Sequence, residues 1–370
     1  MPLFPYAYST ADDWRTAVAE VSAALQPLPG GMSLAFMYAS DHFADDFPAL
    51  VTQLRAQTGI ADWVGTVGVG VLASGRELLE QPALAVMVTD IPAHDYRLLP
   101  SLCNLNDVLQ ADFAVAGAPA WFGVVHGEPR NPLIAELIEH VAARTESGFL
   151  TGGLTSSRSV SPQVAGEVVQ GGLSGVLFSR AVSVTTRLTQ GVSPLGPRHH
   201  ITRAERNVIL SLDGRRPLDV LREDIGEALY AQLARLGGYL FVGLAATDAD
   251  DDDYLVRHII GIDPASGLIA VGDYLEAGQP LMFCRRDGRS AREDLGRMLD
   301  ALAAALPANP RGALYFSCLG RGEHMFGARD AELGIIRARL GDIPLVGFAA
   351  NGEISRNRLY GYTGVLTVFT

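Results

Sequence analysis

The sequence predicts an α/β protein, with α+β as the alternative class, that has two lobes and internally duplicated strand–helix–strand–strand units on mixed sheets. Two observations predict this. Apolar segments typical of buried strands recur in three copies, and in each copy a segment with helical spacing separates the first strand from the second. A glycine-rich turn follows each second strand, and a further apolar strand closes each copy. The copies span residues 32–89, 120–179 and 312–369.

The elements follow one another in the same order in each copy. The first copy reads "MSLAFMYAS", "DDFPALVTQLRAQ", "WVGTVGVGV" and "PALAVMVT"; the second reads "AWFGVVHGE", "NPLIAELIEHVAAR", "FLTGGLTSS" and "GGLSGVLFS"; the third reads "GALYFSCLGRG", "DAELGIIRARL", "PLVGFAANGEI" and "LYGYTGVLTVF". In the second copy, leucine-type residues recur on one helical face, and Asn131 is predicted as N-cap with Pro132 at the first helical position.

The first and third copies share a glycine signature. Each has two glycines five residues apart, Gly65 with Gly70 and Gly347 with Gly352. The third signature ends in Glu353, where the first has Val71. If the turns are equivalent, only the C-terminal one keeps polar groups.

A different block separates the second and third copies. It begins with a strand at "RAVSVTTRL", continues through a helix at 217–238 and a three-stranded meander at 239–275, and ends in a helix at 294–306. The predicted domain boundary precedes the first of these helices. The predicted domains are therefore residues 1–214 and 215–370.

Composition excludes several classes of function. A net charge of −12 and a pI near 5.1 oppose nucleic-acid binding, which depends on a basic surface. All 29 basic residues are arginine, so Schiff-base lysines and the Walker A lysine are excluded. No apolar run is long enough for a membrane span, and the N-terminal residues lack a secretory pattern, so we expect a cytoplasmic protein. Three widely spaced cysteines make no disulfide framework or zinc site.

Two motifs resemble ligand-binding sequences but lack the neighbouring residues that such sites need. "GVGVLA" at 68–73 resembles a dinucleotide fingerprint, but too few residues follow for the helix that would bind the pyrophosphate. The acidic run 247–254 lacks the glycine and closing glutamate of a calcium loop, which favours a solvated loop.

Cysteine and histidine residues leave two alternatives open. Cys318, near a histidine, is a candidate nucleophile for a small-molecule enzyme, although a thiol ending a buried strand is more often a packing residue. Haem iron is commonly bound by histidine. Since His324 and Met325 are adjacent, they cannot ligate one iron from opposite faces. The candidate haem ligands are His199, His200 and His324.

Polar residues follow both central strands of the third copy. If those strands are parallel and adjacent, both loops emerge at the same end of the sheet, where α/β proteins bind ligands. Arginine offers a fork for carboxylates, and glutamate and asparagine can bind an ammonium or amide. The candidate ligand-binding residues are Gly320, Arg321, Gly322, Glu323, Asn351, Gly352 and Glu353.

These motifs resemble a known family. "YFSCLGRGEHMFG", "PLVGFAANGEI" and "LYGYTGVLTVF" are similar to the signature of the C-terminal half of the FIST (F-box and intracellular signal transduction) sensory domain. "TQGVSPLGPRHHITRAERNVILSLDGRRPLDVL" resembles the family's central segment, and the first two copies resemble its N-terminal half. The resemblance covers nearly the whole chain and implies a stand-alone bacterial sensory protein.

The resemblance also implies function and site residues. It implies binding of a small ligand, amino-acid-like or another small anion or zwitterion, or, in haem-binding members, nitric oxide sensing. Output is expected through a separate partner, such as a histidine kinase or a cyclic-di-nucleotide signalling enzyme. Val192 replaces the family's usual cysteine, and "VSP" replaces "GRP". The central segment adds Gln190, Gly191, Pro194 and Gly196, and we expect Arg198 or Arg321 to bind an anionic group of the ligand.

Overall fold

The computed structural model describes residues 3–233, 238–245, 254–307 and 309–370. They form an α/β protein with mixed sheets, as predicted. One compact unit comprises Met1–Thr189 with Arg292–Thr370, and the other comprises Gln190–Ala291. These units do not coincide with the predicted domains 1–214 and 215–370, because segments on both sides of the second unit pack into the first. Within the described residues, no helix has the length and apolar character needed to span a bilayer.

The first repeat contains the first predicted copy, preceded by an additional strand and helix. Asp13 accepts a hydrogen bond from the Thr16 N–H and caps the first helix, and Gly59 ends the second in the left-handed conformation. The elements are β1 (Tyr6–Ser9), α1 (Trp14–Leu25), β2 (Leu34–Ser40), α2 (Phe47–Thr58), β3 (Asp62–Gly68), β4 (Gly70–Ala73), β5 (Arg76–Leu79) and β6 (Leu84–Thr89). The "GVGVLA" segment runs from the last residue of β3 through β4 and is followed by β5 rather than by a helix, in agreement with the spacing argument against a dinucleotide site.

The second repeat has the same order, with one additional short hairpin after its first helix. Its elements are β7 (Tyr96–Leu102), α3 (Leu105–Gln110), β8 (Ala114–Val115), β9 (Ala118–Pro119), β10 (Phe122–Gly127), α4 (Ile134–Ala142), β11 (Phe149–Leu154), β12 (Gln163–Ala165), β13 (Glu167–Val169) and β14 (Leu173–Phe178). The predicted N-cap of α4 was wrong. The helix begins at Ile134, because the Asn131 side chain accepts the Leu133 N–H and closes a turn before it.

The second unit follows β15 (Val184–Gln190) along the chain. Its elements are β16 (Val192–Pro194), β17 (His199–Glu205), β18 (Val208–Leu212), α5 (Pro217–Tyr230), β19 (Leu240–Ala245), β20 (Tyr254–Asp263), β21 (Leu268–Val271) and β22 (Pro280–Arg286). Within the described residues, β22 pairs with both β17 and β19, which closes β17–β18–β21–β20–β19–β22 into a ring. The apolar face of α5 packs on the core of this barrel. The predicted meander is confirmed; residues 234–237 of the predicted helix and 247–253 of the acidic run lie outside the described residues.

The third repeat begins with β15 and resumes after the second unit. Its remaining elements are α6 (Gly288–Ala305), β23 (Gly312–Cys318), α7 (Glu323–Phe326), α8 (Ala331–Leu340), β24 (Leu345–Ala350), β25 (Glu353–Arg356), β26 (Arg358–Tyr360) and β27 (Thr363–Phe369). Strands β23 and β24 are parallel and adjacent, as the site prediction required. The third repeat therefore carries a whole compact unit between its first strand and its first helix.

The three repeats exchange hairpins in a cycle. In the described part of the first unit, each of three six-stranded sheets contains four strands of one repeat and a hairpin from another. Hairpin β4–β5 of the first repeat joins β24, β25–β26 of the third joins β11, and β12–β13 of the second joins β3. Each strand-end region is therefore built by two repeats.

Register shows which residues are equivalent. Gly65, Gly152 and Gly347 are each paired with a residue of the neighbouring parallel strand, namely Met37, Val125 and Tyr315. A Cβ added to any of these glycines would lie 1.7–1.8 Å from the carbonyl oxygen of its partner. The residue after each of those partners, Tyr38, His126 and Phe316, points into the shared core. Their ring centroids lie 5.5–6.0 Å apart in all three pairs, which marks a pseudo-threefold axis.

Candidate functional site

A buried ion pair lies at the strand ends of the third repeat. The Arg321 side chain is 1% exposed, and its Nε donates to Glu332 Oε1 at 2.7 Å. Tyr315 and Ser317 on β23 donate to the same carboxylate at 2.5 and 3.0 Å. Burial lowers the pKa of Arg321, but Glu332 more than offsets this and the pKa is raised, so the guanidinium stays charged. Arg321 thus already has an anionic partner within the protein.

Glu77 is brought to this cluster by the β4–β5 hairpin of the first repeat. Its Oε1 accepts the backbone N–H groups of Glu332 and Leu333, at 2.9 and 3.2 Å, at the N-terminus of α8. Its own N–H donates to Asp330 at 2.6 Å. Burial, and next the Glu332 carboxylate, raise the pKa of Glu77 to about 7. A titratable carboxyl therefore lies against the ion pair.

The same positions are apolar in the other two repeats. Register aligns Tyr315 with Met37 and Val125, which pack in the helix-side cores of their sheets. Counted from the hairpin pairs, Glu77 aligns with Val168 and Leu359, which pack against those same cores. At these two positions the other two sheets are apolar, whereas the third sheet carries a tyrosine hydroxyl and a carboxylate beside the Arg321–Glu332 pair.

A cavity of about 410 Å³ opens above this cluster. This volume lies within the range of small-molecule sites. Glu77 and Arg321 form its inner wall. Both residues also line a smaller cavity of about 20 Å³ beneath it. The remaining lining residues are Val69, Leu79, Glu80, Gln81, Leu319, Glu323, His324, Arg329 and Ala349.

Glu353 and Cys318 form a second buried contact in this repeat. Glu353 is fully buried, and its Oε2 accepts the N–H and Oγ1–H of Thr363 at 3.1 and 2.8 Å. Burial raises the pKa of Glu353 to about 8, and burial with the nearby Glu353 raises the pKa of Cys318 to about 12. Because a nucleophile must be a thiolate, this environment opposes the catalytic role considered for Cys318.

Comparison with known proteins supplies the identity. The FIST N domain profile matches residues 33–215, and the FIST C domain profile matches residues 217–356. The chain belongs to the FIST family. FIST domains are sensory domains of signal transduction, and the matched family is sensory rather than catalytic. The two profiles meet inside the second compact unit, between β18 and α5.

Relatives with the same coverage occur in mycobacteria. The chain is similar to an uncharacterized protein of Mycobacterium tuberculosis, at 31% identity over 98% of both chains, and to one of Mycobacterium bovis, at 27% identity over 98% and 97%. A crystal structure of cyanuric acid hydrolase from A. caulinodans is also similar, with 13% identity, a TM-score of 0.32 and coverage of 100% and 99%.

The structure distributes the predicted site residues of this FIST protein over three places. Arg321, Glu323 and His324 line the cavity, and Gly322 lines the small cavity beneath it. Gly320 packs against Tyr362, whereas Asn351 and Gly352 pair with Leu154 of the second repeat. The residues predicted from the central segment belong to the second unit. They are Gln190, Gly191, Arg198, His199 and His200.

The histidines do not fit haem. Both ring nitrogens of His199 are held by carboxylates, Asp213 at 2.7 Å and Asp224 at 2.9 Å, and His200 and His324 are exposed. The cavity beside His324 has several carboxylates in its wall, which would repel haem propionates. Among the described residues, no three His, Cys, Asp or Glu side chains form a metal site.

Sequence reasoning missed Glu77, Glu332 and Tyr315. Glu332 interrupts the apolar face of a predicted helix, and Tyr315 lies inside an apolar strand. A single polar residue in an apolar pattern does not by itself indicate a site. Glu77 comes from the first repeat, and no local pattern shows that a hairpin joins another repeat's sheet. Aligning the three hairpins would have exposed the signal, a carboxylate in place of Val168 and Leu359.

Proposed function

We propose that this FIST protein is a cytoplasmic sensory protein that binds a small, amino-acid-like ligand in the cavity of its third repeat and signals through a separate partner. One observation carries the proposal. Two positions that are apolar in the other two sheets carry Tyr315 and Glu77 in the third, where they contact the buried Arg321–Glu332 pair beside a cavity. Buried charge is unfavourable for folding alone, so its concentration at a cavity supports a binding role.

Ligand selection follows from the wall of the cavity. Carboxylates of Glu77, Glu80 and Glu323 can bind an ammonium group, while Arg329 and His324 at the rim can meet a carboxylate. A zwitterion satisfies both sets. The partner that receives the signal is proposed from the family resemblance, as a histidine kinase or a cyclic-di-nucleotide signalling enzyme.

The sharpest test closes the cavity without disturbing the core. Leu319 lines the cavity and is 41% exposed, so Leu319→Trp can fill the opening while the cluster beneath stays intact. Native mass spectrometry of the purified protein, and thermal shift with a panel of amino acids, would report the ligand. We expect Leu319→Trp to lose the added mass of the ligand. It should also need at least tenfold more ligand than the wild type for the same thermal stabilisation.

Leu109→Trp is the matched control. Leu109 is 74% exposed on α3 and does not line the cavity, so this variant should behave as the wild type. If Leu319→Trp keeps the full ligand response, the ligand does not bind in this cavity and the proposal is wrong.

A further inference from the structure

We propose that Glu77 is the residue that recognises the ligand, by binding an ammonium group, and that ligands of this cavity therefore carry a primary amine. This inference rests on the proposed function and assigns its selectivity to a residue of the first repeat. It would make the binding site a joint product of two repeats.

One carboxylate oxygen of Glu77 is left for a ligand. The side chain is only 6% exposed, and Oε1 is used by the two N–H groups of α8. Within the described residues, no hydrogen bond reaches Oε2. Gly322 faces that oxygen, since a Cβ added there would lie 3.5 Å from it, and the glycine keeps the space open. Glu77 lines both the large cavity and the small one beneath.

The structural role of Glu77 does not require a charge. Capping α8 uses Oε1 alone, which the amide oxygen of a glutamine would replace. At the equivalent positions Val168 and Leu359 pack without any polar group. A carboxylate buried beside Glu332 is unfavourable by itself, and a cation in the cavity would offset that.

The surrounding charges select a cation over an anion. Arg321 is paired with Glu332, and Arg329, whose side chain is 84% exposed, lies 3.4 Å from Glu323 at the rim. An anion at the inner wall would be repelled by the Glu77 carboxylate. Arg321 would not offset this repulsion, because Glu332 already neutralises its charge. An ammonium group there can donate to Oε2 in a site of low dielectric, where a charged hydrogen bond is strong.

Three compounds of similar length test the amino group and the carboxylate of an amino acid separately. They are L-norvaline, pentanoate and n-butylamine, measured by titration calorimetry at pH 7.5. We expect norvaline and butylamine to bind the wild type and pentanoate to bind at least tenfold more weakly. Glu77→Gln, which keeps an acceptor for the α8 N–H groups, should weaken norvaline and butylamine at least tenfold. Glu167→Gln makes the same charge change at an exposed position of β13 and should bind as the wild type.

The outcomes are distinguishable. If norvaline and pentanoate bind equally well, and Glu77→Gln changes neither, Glu77 is not the ammonium site although the amino-acid-like ligand stands. If none of the three probes binds, both the inference and the proposed function fail. If Glu77→Gln is poorly folded, the probes on the wild type still decide whether the cavity selects an amine. Glu80→Gln and Glu323→Gln change the other carboxylates of the wall and should keep that selection. Loss of the selection in either variant would assign the ammonium site to that residue and overturn the inference.

Discussion

The second and third repeats share a backbone plan but differ in the chemistry of the layer between sheet and helix. In the sheet of the second repeat, Val125 and Leu359, the latter from the exchanged β25–β26 hairpin, fill this layer with apolar contacts against α4. In the sheet of the third repeat, Tyr315 and Glu77, the latter from the exchanged β4–β5 hairpin, occupy the equivalent positions and contact the Arg321–Glu332 pair. The apolar version shows that the fold does not depend on the polar groups. The charged version is therefore a specialisation of one repeat.

The difference also changes how each repeat is stabilised. An apolar layer gains free energy from burial, roughly 25 cal/mol per Å². A buried ion pair barely offsets its own desolvation, yet removal of one partner leaves an uncompensated charge. The third repeat should thus be the more sensitive one to single substitutions, and the following predictions test this.

Removing Arg321 should have the largest effect. Arg321→Ala leaves the Glu332 carboxylate buried without its cation, and we expect a loss of about 3–5 kcal/mol in the free energy of unfolding. Arg329→Ala removes an exposed arginine from the same loop region and should change it by less than about 0.5 kcal/mol. Urea unfolding followed by circular dichroism measures both. Equal effects would mean that the buried pair is not a special feature of this repeat.

Three glycine substitutions should have nearly the same large effect. Gly65→Ala, Gly152→Ala and Gly347→Ala each place a Cβ against a carbonyl oxygen of the neighbouring strand, at 1.7–1.8 Å. We expect each to destabilise the protein by about 3 kcal/mol, since the strands must separate to relieve the clash. The measurement is the midpoint of urea unfolding for the three variants in parallel. One harmless substitution among the three would show that the repeats are not equivalent there.

Glu353→Gln should change the dependence of stability on pH. Because the pKa of Glu353 is raised to about 8 in the folded protein, its favourable contribution is complete below the unfolded value near 4.5 and is lost as pH rises through 8. From pH 6 to pH 8, the wild type should lose roughly 2 kcal/mol from this group. Glutamine is already accommodated at the equivalent position Gln163 of the second repeat.

The check is a series of thermal melts between pH 5 and 9. Glu353→Gln should remove the part of the loss that Glu353 contributes and leave the smaller loss expected from Glu77, whose pKa is raised to about 7. Glu323→Gln, on the exposed end of α7, should leave the profile as in the wild type. If the profile of Glu353→Gln is as steep as that of the wild type, Glu353 does not contribute to it.

Local patterns were enough to predict the repeats. The order of elements along each copy and the glycine turns follow from local spacing, and the parallel pair β23–β24, which the site prediction assumed, is present in the structure. The additional strands β1, β7 and β15 were not assigned to the copies, since pairing with a distant partner leaves no periodic trace. The hairpin exchange was missed for the same physical reason, because register between repeats depends on tertiary packing.

The loops that border the cavity could be predicted from the sequence, whereas the roles of their residues stay predictions. The sequence identified the loops after β23 and β24, and Arg321, Glu323 and His324 do line the cavity there. The expected role of Arg321 as a ligand contact stays a prediction, but its full burial against Glu332 means that Arg321→Ala tests stability first. Sequence spacing cannot show which charged groups neutralise each other inside the protein.

The smallest effect at neutral pH is expected at the pseudo-threefold axis, where Tyr38, His126 and Phe316 meet. Burial lowers the pKa of His126 to about 3, so the imidazole is neutral in the folded protein and accepts or donates a hydrogen bond to the Tyr38 hydroxyl at 3.1 Å. His126→Phe removes that bond and should destabilise the protein by about 1 kcal/mol at pH 7.

In acid, His126→Phe should instead be more stable than the wild type. The favourable contribution of a group with a lowered pKa is complete above about 6.5 and is lost as pH falls toward 3, whereas phenylalanine carries no such dependence. Urea unfolding of both proteins at pH 7 and pH 4 measures the difference, and Tyr38→Phe, which also breaks the bond but keeps the imidazole, is the control that should not cross over. If His126→Phe stays less stable than the wild type at pH 4, the imidazole is not held neutral at the axis, and the three repeats differ there in more than the identity of a ring.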